Sequence, residues 1–279
     1  MTVNGTDDRC SGYALGHIAG EDFRINTRFM KGEDLGKYDI NEANVSNVIS
    51  EISCDTTGKA ALIYYDSFPV AVASIRNYEL SVPLGNQNKG SIKIYTVLEP
   101  VKEFRPIPSS GYITAVYGFD PDHIEAPATE ELDKNDDNRI MDQCSTVFFE
   151  AKKQKIKGTD GKNIEVEYKA KKIDLNNDGI VDYAIKADWF SETLPQDVRL
   201  TSVFAAINNS DGKGLNRYIL FPLTVIRNSQ FYLEQVADLN QDGIMEIIIR
   251  KNRKERDSFS VFEFDSSKNG YMEIYSDTD

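Results

Sequence analysis

The apolar positions of this chain fall into short runs, and their period changes along its length. Val45, Val48, Ile49 and Ile52 recur at i, i+3, i+4 and i+7, which is one face of a helix. Asp39 and Glu42 form a capping box ahead of it, and Gly58 marks its stop. Residues 60–65 and 70–75 read as strands joined through Asp66-Ser-Phe-Pro69. Residues 90–98 and 111–119 read as further strands. Residues 120–138 contain Pro121, Pro127 and many acids, and read as a boundary or long loop.

The rest of the chain reads as short strands between turn signals, with almost no helical period. Thr159-Asp-Gly-Lys162 and Ser210-Asp-Gly-Lys213 each predict a hairpin turn. Residues 183–187 and 247–250 predict buried strands, and 259–264 and 271–275 supply two more. Trp189 and Phe190, directly after one of these strands, read as core. An internal repeat runs through this part. Ser145-Thr-Val-Phe148, an Asp-Gly turn and a glycine loop at 173–180 form one unit. Thr201-Ser-Val-Phe204, an Asp-Gly turn and a glycine loop at 237–244 form the next. The two loop glycines, Gly179 and Gly243, lie 64 residues apart. Evenly spaced short strands predict a sandwich, barrel or propeller.

The loops carry the strongest chemical signal. In Asp174-Leu-Asn176-Asn-Asp178-Gly179-Ile180-Val-Asp182, oxygen side chains occupy positions 1, 3, 5 and 9. Glycine at position 6 allows a sharp reversal, which aims the Ile180 carbonyl at the same point. Three carboxylates, one amide oxygen and one carbonyl make a hard-oxygen set of the kind Ca²⁺ takes. Asp238, Asn240, Asp242, Gly243, Ile244 and Glu246 repeat the layout, with Glu in place of the last Asp. Position 12 is apolar in both loops (Ile185 and Ile249), and each loop runs into a strand, so an EF-hand is excluded. Asp-Asn-Asp-Gly strings also make good turns, but a turn needs one or two of these residues and a cage needs all four. Asp133-Lys-Asn135-Asp-Asp137-Asn138 begins the same way, but its ninth position is Met141 and the acid comes one place late at Asp142. It reads as a degenerate third repeat.

The two loops resemble those of FG-GAP/VCBS-type repeats, the units of integrin-α-like β-propellers, over roughly residues 130–279. The resemblance implies Ca²⁺ bound by Asp174, Asn176, Asp178 and Asp182, and by Asp238, Asn240, Asp242 and Glu246, in loops between blade strands. The Phe-Gly and Gly-Ala-Pro pieces of the family are absent, and the length does not hold seven blades at this period. A partial propeller or a sandwich-like repeat pair is therefore expected.

Composition narrows the reading. The chain has 279 residues, 40% hydrophobic and 28% charged, with 45 acidic against 32 basic side chains and a formal charge of −13. That balance argues against nucleic acid and anionic membranes as partners. No apolar stretch is long enough for a membrane span, so no membrane insertion is expected. The polar start, MTVNGTDDRCSG, has no apolar signal region. Two readings stand: a cytosolic protein, or a mature exported chain that has lost its signal peptide. Calcium, millimolar outside the cytosol, favours the second. Cys10, Cys54 and Cys144 allow one disulfide, Cys10 with Cys54 in an exported chain, or three buried thiols. His17 and His123 sit in no metal or triad motif. The run Lys152, Lys153, Lys155, Lys157 is expected to pair with Glu165 and Glu167 across a hairpin. The run 251–256 reads as a charged loop between strands.

The chain is thus expected to be mainly β. Residues 1–125 form a mixed α/β or β-rich domain of unknown role, and 126–279 form a β-repeat domain with calcium loops. The expected function is non-enzymatic: recognition of a protein or glycan partner, as in an inhibitor or immunity protein. The alternative is a secreted or periplasmic hydrolase with its site in the N-terminal domain or the cleft between domains.

Overall fold

A computed structural model describes residues 12–18, 24–27, 29–30, 33–34, 60–81, 93–107, 109–117, 131–153, 164–191, 198–209, 214–227, 229–253, 256–268 and 270–276. The expected helix at 45–52 with its capping box, Cys10, Cys54, His123 and both Asp-Gly turns lie outside these residues. The described residues are mainly β-strand. The chain divides into two compact units, Met1–Ala126 with Leu239–Gln241, and Pro127–Asp238 with Asp242–Asp279.

In the first unit, β1 (Gly12–Ile18), β2 (Arg24–Thr27), β5 (Ala60–Tyr65), β6 (Phe68–Ser81), β7 (Lys93–Glu103) and β8 (Tyr112–Tyr117) pair antiparallel in the ring order β1-β2-β7-β6-β5-β8, a closed barrel. β3 (Phe29–Met30) and β4 (Glu33–Asp34) form a separate small ribbon. Its core holds Ile18, Ile63, Val70, Ile75, Leu98 and Ile113 with four alanines, Ala61, Ala71, Ala73 and Ala115. Six strands enclose little space, and the alanines suit it. Asp66 and Ser67 turn the β5–β6 hairpin, both at positive φ (50° and 71°), as a two-residue turn with the twist of the strands requires. Phe68 and Pro69, expected in the connection, already belong to β6.

The second unit is two antiparallel meanders of four strands. Sheet I runs β9 (Ile164–Ile173), β10 (Asp182–Ser191), β11 (Val198–Asn208), β12 (Leu215–Arg227). Sheet II runs β13 (Ser229–Ala237), β14 (Glu246–Arg253), β15 (Arg256–Asp265), β16 (Gly270–Ser276). They face each other across one core, with Ile173, Ala184, Val203, Ala205 and Ile207 from sheet I against Phe231, Leu233, Val236, Ile247, Ile249 and Phe262 from sheet II. α1 (Lys134–Lys153) packs Ile140, Cys144, Val147 and Phe148 on the other face of sheet I, against Ile185, Trp189, Leu200 and Phe204. β11 is covered on both faces, in keeping with the continuous apolar run Val203–Ile207 within it. Trp189 is core, as expected.

α1 corrects the sequence reading in three places. The string at 133–142 is a helix start, not a third metal loop. Asp133 Oδ1 accepts from the amides of Asn135 (2.6 Å) and Asp136 (3.0 Å), and Asp136 Oδ2 accepts from the Asp133 amide (2.8 Å). This reciprocal cap engages Asp133, the acid at a loop's first position, together with Asp136. Burial alone would raise the Asp136 pKa, but the Tyr183 hydroxyl, the Asp133 amide and the Lys172 ammonium outweigh it and hold it below the usual range. Ser145–Phe148 is helical while Thr201–Phe204 is strand, so that part of the repeat fails. Lys152 and Lys153 end the helix and lie in no hairpin strand, Lys155 and Lys157 lie outside the described residues, and Glu165 and Glu167 lie opposite Phe190 and Asp188 on β10. The run 251–256 does join two strands, with Arg253 opposite Arg256.

Candidate metal centre

The two glycine loops occupy the same place in the two meanders. The first joins β9 to β10, where Ile173 pairs with Asp182. The second joins β13 to β14, where Ala237 pairs with Glu246. In both, the ninth position is therefore the first residue of a buried strand.

Their backbones match bond for bond. Asp174 Oδ1 accepts from the Asp178 amide (3.3 Å) and Oδ2 from the Gly179 amide (2.8 Å). Asp238 Oδ1 accepts from Asp242 (3.2 Å) and Oδ2 from Gly243 (3.0 Å). The fifth-position acid in each takes the seventh-position amide, Ile180 to Asp178 and Ile244 to Asp242, both at 2.8 Å. Position 4 is left-handed in both (Asn177 at 58°, Gln241 at 65°), and so is position 6 (Gly179 at 81°, Gly243 at 86°). Asparagine carries that conformation at the lowest cost after glycine, and glycine carries it freely.

The acids face backbone donors more than one another. Among the described residues, no three His, Cys, Asp or Glu side chains gather closely enough to form an ion cage. Asp182 is wholly buried, with Oδ2 on the Leu175 amide (3.0 Å) and Oδ1 on the Asn208 amide (2.7 Å). The Asn208 side chain also donates to the Val181 carbonyl, which ties the loop to β11. Burial pushes the Asp182 pKa up to about 7; the two amides oppose the rise, and the Asp178 and Asp174 carboxylates add to it. Asp188, also buried in sheet I, accepts from the Lys186 ammonium and the Thr201 hydroxyl. The Cys144 thiol is pushed up to about 12 by burial, so it is neither a ready nucleophile nor a ready ligand.

One polar atom fits a cation set. Asn176 Oδ1, the third-position oxygen, is buried with no hydrogen-bond donor, while its Nδ2 donates to Asp178 Oδ2 at 3.1 Å. A buried acceptor without a donor is costly unless something positive meets it. A carboxylate oxygen has two lone pairs, so oxygens that hold one N–H keep capacity for a metal. A further buried polar atom lies outside both motifs. The Tyr271 hydroxyl on β16 is buried without a hydrogen-bond partner. Burial raises its pKa well above the ordinary value, and the Asp182 and Glu246 carboxylates raise it further, so it stands near both ninth-position acids. No sequence signal marks Tyr271.

The loops also touch. The Met245 amide donates to the Leu175 carbonyl at 3.0 Å. The Asn177 side-chain amide lies where a side-chain carbon at Gly243 would stand, so a larger residue there makes that side chain shift.

Comparison with protein-family models, with characterised proteins and with solved structures finds no match to this chain.

Proposed function

We propose that this protein is a calcium-stapled β-repeat binding protein. Asp174, Asn176, Asp178, the Ile180 carbonyl and Asp182 hold one ion. Asp238, Asn240, Asp242, the Ile244 carbonyl and Glu246 hold the other. The observation that carries this reading is the bond-for-bond match of two loops at equivalent places in two meanders. A merely convenient turn has no reason to keep every oxygen position twice. Each loop offers five protein oxygens, and bidentate acids and water bring the number to the six to eight that Ca²⁺ takes. Two four-stranded meanders, each with its loop in the first hairpin, support a sandwich-like pair of FG-GAP/VCBS-type blades.

In this reading the metal is a staple. It neutralises repelling acids and pins two hairpin ends, and the sheets then present a fixed surface. Exposed apolar side chains on both outer strands, Ile219 and Val225 on β12 and Met272 and Ile274 on β16, support a protein partner over a glycan. Millimolar calcium outside the cytosol supports an exported location.

The test is a melting experiment on metal-stripped full-length protein. At a hundredfold excess over the dissociation constant, each site adds about 2.7 kcal/mol. One kcal/mol moves the melting point of a unit this size by about 2–4 °C, so two filled sites raise it by about 10–20 °C. A chelator returns it. No shift across millimolar Ca²⁺ sinks the reading.

A further inference from the structure

The geometry points to the two loops working as one unit, in which loading one with Ca²⁺ raises the affinity of the other. This inference rests on the calcium reading above and adds a coupling to it.

Two contacts join the loops, and a third group lies near both. The Leu175 residue is tied at both ends: its amide donates to Asp182 of its own loop, and its carbonyl accepts from Met245 of the other. A shift of the Asp182 carboxylate onto a cation therefore reaches the strand entry that carries Glu246. The Asn177 side chain lies against the backbone of Gly243, so the fourth position of one loop abuts the sixth of the other. Tyr271 brings a buried hydroxyl without a partner to the neighbourhood of both ninth-position acids. Its ring is fixed by Phe264 (5.3 Å between centroids) and Tyr218 (6.3 Å).

The physical basis is shared ordering. The first ion fixes a loop that holds two left-handed residues, and the second ion meets a neighbour already in place, so it loses less conformational freedom. Repulsion between the ions works the other way. Six loop carboxylates, Asp174, Asp178, Asp182, Asp238, Asp242 and Glu246, face four positive charges, so the second ion still enters a site of negative charge.

Calorimetric Ca²⁺ titration of the stripped full-length protein tests it. The wild type takes up two ions with a Hill coefficient above one. Asp174→Ala and Asp238→Ala each leave one site, weaker than the wild-type sites by about fivefold or more. Tyr271→Phe keeps the ring contacts, and Asn177→Gly keeps the backbone conformation; both retain two ions and lose cooperativity. These two variants touch no proposed ligand, so the test survives even if an Asp→Ala protein fails to fold. Two independent sites, or a second ion bound more weakly than the first, overturn the coupling and leave the calcium reading standing. Cooperativity that persists in both Tyr271→Phe and Asn177→Gly overturns the route. No uptake by the wild type overturns the calcium reading and the coupling with it.

Discussion

Replacing Asp182 by Asn should flatten the pH dependence of stability in calcium-free buffer. The wild-type side chain is wholly buried and takes two backbone amides. Burial raises its folded pKa to about 7, against two opposing amides and with help from Asp178 and Asp174. In the unfolded chain an aspartate titrates near 3.9, so the folded state binds the proton more tightly. Its contribution to stability is therefore complete below about pH 4 and is lost as pH climbs through about 7. Three pKa units at 1.36 kcal/mol each amount to about 4 kcal/mol. Asn does not titrate. It has one acceptor oxygen where the carboxylate has two, so one backbone amide goes unmet, at a pH-independent cost of about 1–3 kcal/mol. Urea denaturation of both proteins, from about pH 4.5 to 8, gives the comparison. The wild type should lose stability relative to Asp182→Asn with a slope approaching 1.4 kcal/mol per pH unit, levelling above pH 7. Saturating Ca²⁺ should reverse the trend, because a metal takes the ionised carboxylate. A wild-type-minus-variant difference that does not change with pH refutes the argument from burial.

Two further outcomes follow from the backbone. Asp133→Ala removes the acceptor of two amides at the start of α1 and should cost about 1 kcal/mol in urea unfolding; an unchanged midpoint would mean the cap contributes nothing. Gly179→Ala meets open space and carries only left-handed strain, about 1–2 kcal/mol, whereas Gly243→Ala carries the same strain and also pushes on Asn177. Gly243→Ala should thus be the more destabilising of the two, and adding Asn177→Gly should recover the excess; the opposite order counts against the packing of the loops.

What the sequence determined is local. Spacing within nine residues decides which amides an aspartate reaches, so Asp174 and Asp238 close the same turn, and glycine lands where φ must be positive. Strands 60–65 and 112–117 were legible for the same reason, since alternation and turn residues act between near neighbours. At 133–142 local rules pointed two ways. Asp133 serves a loop or a helix cap equally well, and the choice fell to Ile140, Cys144, Val147 and Phe148, which bury one helix face on sheet I. Their spacing of i, i+4, i+7 and i+8 was present in the sequence but diluted by the polar residues between them.

What only the tertiary structure decided depends on distant pairs. The ring of six strands closes because β8 pairs with both β1 and β5, and no local pattern encodes that choice. The meeting of the two loops follows from packing sheet I on sheet II, which sets Met245 on Leu175 and Asn177 on Gly243. Tyr271 has no motif around it; it packs against the shared core because β16 folds back over it. The raised pKa of Asp182 has the same origin, since spacing chose the residue and burial between strands set its charge.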